Sequence, residues 1–172
     1  MLDSYITILN RTIGASIGRP VQEVIYRTHE DSTSRSAIAE GAGWLHGEVL
    51  LGFPAVPRLF IGWGENEGWS DHFSLLPSET STFKPGTLAD LAALDAPEWA
   101  AVQNQPLKSA ELRGSNGTPH LLVLEFTDGG VVIGDGYNND LGDGDQILVH
   151  VLPDPQLSEF QEVFWRAHDS AG

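Results

Sequence analysis

Apolar residues along this chain change their spacing from segment to segment, and the spacing predicts the elements. Ile6, Leu9, Ile13 and Ile17 recur at intervals of three and four, the stripe of an amphipathic helix over residues 4–17. Ser4 would cap its start, and Gly14 and Gly18 would weaken or end it. Pro20 stops any helix, and Val21–Arg27 reads as a strand rich in β-branched and aromatic residues. Residues 29–43, rich in Ser, Gly, Ala and charge, read as a loop. Trp44–Phe53, Arg58–Trp63 and Trp69–Leu76 follow as strands. The turn Pro54–Pro57 and the polar loop Gly64–Gly68 separate them, which predicts an antiparallel meander.

The second half restarts the pattern. Thr87 and Asp90 have capping-box spacing, with Leu88, Leu91 and Leu94 at helical intervals behind them. Asp95 and Glu98 repeat the signal, Pro97 suits a first turn, and Trp99 and Val102 extend the apolar face. Helix is therefore expected here, then strands at Leu107–Leu112, His120–Phe126, Val131–Gly134 and Ile147–Leu152. His120–Phe126 is almost continuously apolar, which predicts a central strand covered on both faces. Thr127–Gly130 reads as a tight hairpin turn, and Asp135–Asp145 as a long acidic loop. Pro155 suits the start of a last helix, with Leu157, Phe160 and Phe164 on one face.

The two halves echo each other. Ile61-Gly62-Trp63-Gly64 matches Ile133-Gly134-Asp135-Gly136, Val49–Phe53 matches Leu122–Phe126, and Leu76-Pro77 matches Leu152-Pro153. The expected class is α+β: a largely antiparallel sheet built from two pseudo-symmetric α-β-β-β-β repeats, plus a C-terminal helix. The copies would span 1–77 and 87–153, with the helix at 154–172, in a single domain covering 1–172. One sheet running through both copies is the expected arrangement, because either half alone would bury little surface. The glycines of Ile-Gly-x-Gly read as permitting tight turns, and the isoleucines as packing residues. After that motif the copies diverge, so a local function is expected in Trp63–Asp71 and Asp135–Asp145.

Charge narrows the classes of partner. The 172 residues carry a net −15, with 41% hydrophobic and 19% charged residues, so the chain can bury a proper core. Residues 1–85 hold 10 acidic and 6 basic side chains, giving −4, and residues 86–172 hold 14 and 3, giving −11. Such a field repels nucleic acid and anionic membranes and attracts cations and basic protein surfaces, although it also serves solubility alone. No stretch approaches the roughly 20 apolar residues that span a bilayer, and Met1-Leu2-Asp3-Ser4 does not open a signal peptide. With no cysteine there are no disulfides or thiolate sites, and a cytoplasmic location is expected.

No catalytic motif stands out. The six histidines form no metal-pair spacing, and Ser70-Asp71-His72 would alternate across a strand rather than form a triad. There is no nucleophile elbow, Walker loop or dinucleotide fingerprint, and Gly134-x-Gly136 is followed by acidic residues that would repel a pyrophosphate. Carboxylate pairs from Glu65, Glu67, Asp71 and Asp135 are too common in an acidic protein to indicate glycoside hydrolysis. The 135–145 loop is rich in oxygen ligands, but Asp140 and Gln146 stand where a helix-loop-helix calcium site needs Gly and Glu. Neither metal nor cofactor is therefore expected. Aromatic residues beside carboxylates suggest a recognition surface instead. The expected partner-binding set is Trp63, Glu65, Asn66, Glu67, Trp69 and Asp71 with Asp135, Tyr137, Asn138, Asp140, Asp143 and Asp145. For Trp63 and Trp69, a core position at a strand end is an equal alternative.

The run Arg19-Pro20-Val21-Gln22-Glu23-Val24, then Glu48–Phe53, then Leu59-Phe60-Ile61-Gly62-Trp63-Gly64-Glu65-Asn66 resembles small bacterial immunity proteins that neutralise polymorphic or secreted toxins. The resemblance lies in a helix, a Gly-x-Pro-Val approach to a strand, and a hairpin ending in a tryptophan-bearing loop. It implies a non-catalytic inhibitor whose partner is a basic toxin or enzyme. A small-ligand binder or hydrolase with a cleft between the copies is the alternative, and a homodimer stays open.

Overall fold

The computed structural model describes residues 2–28, 44–45, 47–65, 73–135, 147–153 and 155–170. Helix α1 (Leu2–Arg11) turns its apolar stripe inward: Leu9 is fully buried, and so is Ile13 just beyond it. A short 3-10 turn (Gly14–Ser16) follows, and Gly18, at φ +87°, takes the left-handed conformation that ends helical structure.

The strands are β1 (Glu23–Thr28), β2 (Trp44–Leu45), β3 (Gly47–Gly52), β4 (Leu59–Glu65), β5 (Phe73–Ser78), β6 (Ala89–Ala92), β7 (Leu107–Ser115), β8 (Thr118–Phe126), β9 (Gly129–Asp135), β10 (Ile147–Val151) and β11 (Glu162–His168). They form two antiparallel sheets of five principal strands, not the one continuous sheet expected. The first runs β5-β4-β3-β1-β6; the second runs β11-β7-β8-β9-β10, with two-residue β2 added beyond β10. Both have the same connectivity: four strands in a meander, then a fifth that returns beside the first.

One apolar core joins the sheets. Val24, Tyr26, Val49, Leu51, Leu59, Ile61 and Leu75 from the first meet Leu112, Leu122, Leu124, Val131, Ile133 and Val149 from the second. The space between the two halves is thus filled with side chains. β8 is central, and eight of its nine residues are buried, as its continuous apolar run requires. Its outer residues Leu121 and Val123 join Val132 and Phe160 in a smaller cluster, roofed by Leu152 and Leu157.

Three further expectations are corrected. The helix expected over residues 87–102 is strand β6 followed by one helical turn, Pro97–Ala100. Residues 89–92 pair with β1 along a four-residue ladder, with Asp90 opposite Arg27, so a partner distant in the chain and not the local helical spacing sets this segment. The C-terminal helix at 154–172 is instead a 3-10 turn, Pro155–Glu159, followed by β11. Leu157 and Phe160 do share a face, the roof of the small cluster, but the β-branched and aromatic run Val163-Phe164-Trp165 then pairs with β7. Finally, the predicted strand Trp44–Phe53 is two strands in different sheets: Trp44–Leu45 pairs with β10, and Gly47–Gly52 with β1 and β4.

Candidate functional site

β4 and β9 are the strands that lead into the two nominated loops. Within β4, Leu59, Ile61 and Trp63 point inward while Phe60, Gly62 and Gly64 lie on the outer face. Trp63 is 9% exposed and belongs to the shared core. Its ring lies 5.7 Å from that of His120, tilted by 38°. His120 is 8% exposed and stacks in turn against Phe160 at 4.9 Å. Its neighbour Leu121 pairs with Gly134, the penultimate residue of β9.

This aromatic row fixes a relationship the sequence left open. The last residues of β4 and of β9 belong to different sheets, yet the Trp63–His120 contact holds them at one end of the structure. Glu65 ends β4, paired with Phe73, and Asp135 ends β9, paired with Ile147. Of the expected binding residues, Trp63 is thus a core side chain, and Glu65 and Asp135 are strand-terminal positions at the same end. Asn66, Glu67, Trp69, Asp71, Tyr137, Asn138, Asp140, Asp143 and Asp145 lie outside the described residues, as does most of the loop considered for calcium. Among the described residues, no three His, Asp or Glu side chains gather as a metal site would require.

Of the repeated glycines, Gly62, Gly64 and Gly134 are not in turns, and Gly136 lies outside the described residues. Gly62 and Gly134 both lie within strands. A Cβ on Gly134 would sit 2.2 Å from the His120 carbonyl oxygen, so close backbone approach explains that glycine; at Gly62 the nearest atom is 3.9 Å away.

Two polar clusters escaped the sequence reading. In the core, the Trp99 indole N–H donates to Tyr26 Oη at 2.7 Å, and Tyr26 donates to Glu98 Oε1 at 2.5 Å. Burial, reinforced by the Glu98 hydrogen bond and charge, drives the Tyr26 pKa far upward, against a smaller lowering by Trp99. On the outer face of the first sheet, Arg27 bonds Glu48 at 2.6 Å and Asp90 at 2.9 Å, and Ser81 donates to Glu48 at 2.5 Å. Burial alone would lower the Arg27 pKa, but the two carboxylates outweigh it and raise it. Glu98 next to Trp99 behind Pro97 was the available sequence signal for the first cluster. The second had none, because Arg27, Glu48 and Asp90 lie on three different strands and Ser81 on the connection after β5.

Comparison with protein-family models, with curated proteins and with solved structures found no match for the chain. No helix among the described residues is long and apolar enough to cross a membrane. Fold and site together define a two-sheet, antiparallel α+β domain with one end built from strand termini and an aromatic row.

Proposed function

We propose that this protein is a non-catalytic acidic binding protein that engages a basic partner, a toxin or an enzyme, through the end where β4 and β9 finish. The observation that carries this reading is the Trp63–His120 contact, which brings the strand ends leading into the two nominated loops together. Residues 65–72 and 135–146 contain seven carboxylates and no Lys or Arg, so a field from this end would favour a cationic surface. The resemblance to bacterial immunity proteins supports the same reading and a cytoplasmic location. The shared connectivity of the sheets supports reading the chain as two copies of one unit, in which Trp63 and Asp135 would be equivalent, although Ala89–Ala92, expected in the second copy, pairs within the first sheet.

The test is co-purification with the product of the adjacent gene, followed by growth rescue when that product is expressed. A stable complex and rescue are expected. Rescue lost when Asp140, Asp143 and Asp145 are reversed to Lys, with the circular dichroism spectrum retained, would assign it to this end. A folded protein that neither binds nor protects overturns the immunity reading.

A further inference from the structure

The β7–β8 hairpin closes on a two-residue loop, Asn116-Gly117, between the paired residues Ser115 and Thr118. Both loop residues take the left-handed conformation, at φ +52° and +77°, as this tight turn requires. Both are exposed, and a Cβ at Gly117 would meet nothing within 4 Å. The pair is the sole Asn-Gly in the chain. Its chemistry is intramolecular. The backbone nitrogen that follows an asparagine can attack that asparagine's own side-chain carbonyl carbon, and glycine, without a Cβ, leaves the approach open. One contact bears directly on that nitrogen. Gly117 N–H donates to Glu162 Oε2 at 2.9 Å, although the two residues lie 45 apart in the chain. Glu162 opens the edge strand β11 and pairs with Gly114, so its carboxylate reaches back over the turn.

We propose that Asn116 is a site of self-modification by deamidation, and that the Glu162 carboxylate restrains it. The Gly117 nitrogen forms a bond to Asn116 Cγ, and the bond from Cγ to the side-chain nitrogen breaks. Ammonia leaves, carrying the Gly117 proton, and a succinimide ring remains. Water then adds to either carbonyl of the ring and opens it to aspartate or isoaspartate. The Gly117 nitrogen attacks well only after losing its proton, and a carboxylate in contact opposes the negative charge that this loss creates. The same hydrogen bond holds the proton that must leave. Glu162 is therefore a positioning residue that slows the reaction while β11 is docked. The product undoes that hold. It adds a negative charge one residue from the Gly117–Glu162 bond, and isoaspartate also lengthens the backbone inside the tight turn. Deamidation at position 116 thus loosens the start of the β11 edge.

The test is peptide mapping by mass spectrometry after the folded protein has aged in heavy-oxygen water at mildly alkaline pH. The parent is compared with Glu162→Gln, an exposed substitution that keeps an acceptor oxygen and removes the charge. Labelled product is expected at Asn116 in both, formed about threefold or more faster in the variant, the discounted effect of one exposed charge on a neighbouring ionisation. Added salt should speed the parent towards the variant and leave the variant unchanged, a response that lost packing would not give. Asn116→Asp, which the turn accepts, should lose amide-exchange protection at the start of β11 while keeping its circular dichroism spectrum. No labelled product at Asn116 in either protein overturns the site. An equal or slower rate in folded Glu162→Gln, or a parent indifferent to salt, overturns the restraint by Glu162. Unchanged protection in Asn116→Asp overturns the loosening of β11.

Discussion

The Tyr26 hydroxyl donates to Glu98 Oε1 while accepting from the Trp99 indole, so one buried atom joins β1 to the single helical turn at 97–100. All three side chains are buried. Tyr26→Phe keeps the ring and removes the atom both neighbours depend on. It should cost about 1–3 kcal/mol for the groups left without a partner, read as a lower denaturant midpoint at unchanged m-value. The same site sets an alkaline limit. A tyrosine whose folded pKa lies above its unfolded value keeps its proton longer in the folded state, so the unfolded chain binds fewer protons once pH exceeds about 10. Its contribution is complete below that pH and is lost as pH rises beyond it. In a spectrophotometric titration, one of the three tyrosines should stay un-ionised until the chain unfolds.

Arg27 stands between two unequal carboxylates. Glu48 is 1% exposed and Asp90 58%, which separates the cost of losing each. Arg27→Met strands the buried Glu48 charge and should destabilise by about 3–5 kcal/mol. Asp90→Asn removes only a solvated partner and should cost about 1 kcal/mol or less. Chemical denaturation of the two variants checks the order; equal effects would mean that Glu48 relaxes to solvent when Arg27 is lost.

Elements set by local pattern were legible in the sequence. The stripe Ile6, Leu9, Ile13 located α1 because a helix buries residues at its own period, and the unbroken run His120–Phe126 located a central strand because both faces of β8 are covered. Elements set by distant partners were not. Leu88, Leu91 and Leu94 have helical spacing, yet β6 follows Arg27, 63 residues from Asp90 in the chain. Phe164 completes a helical stripe with Leu157 and Phe160, yet β11 follows β7, with Arg166 bonded to Glu111 across 55 residues. The change of sheet between Leu45 and Gly47 falls where His46-Gly47-Glu48 interrupts the apolar run, a break that the strand reading passed over. Within the site, aromatic and acidic composition drew the reading to the loops that follow β4 and β9, whereas the Trp63–His120 contact that brings those two strand ends together is tertiary.

The matched glycines of β4 and β9 should behave differently. Gly134→Ala places a methyl 2.2 Å from the His120 carbonyl oxygen and 2.9 Å from Leu121 Cα, so backbone must move. The expected cost is about 1–3 kcal/mol or more, with amide shift changes centred on β8 and β9. Gly62→Ala meets nothing closer than 3.9 Å and should stay within about 0.5 kcal/mol of the parent. Thermal melts of both check this. Equal costs would mean that the repeated glycine serves the backbone in the same way in both sheets.

Charge reversal separates steering from anchoring at the proposed interface. Asp140, Asp143 and Asp145 lie in the half of the chain that carries −11, and reversing all three to Lys changes the charge there by six units. Steering acts on encounter, so the variant should associate with its partner more slowly, by about tenfold at low ionic strength, with dissociation changed less. Added salt screens the attraction over about 10 Å at 0.1 M, so the parent should slow on salt addition and the variant should respond weakly. Surface plasmon resonance at two salt concentrations measures both. An association rate that is unchanged at low salt would remove these carboxylates from the encounter and leave solubility as their role.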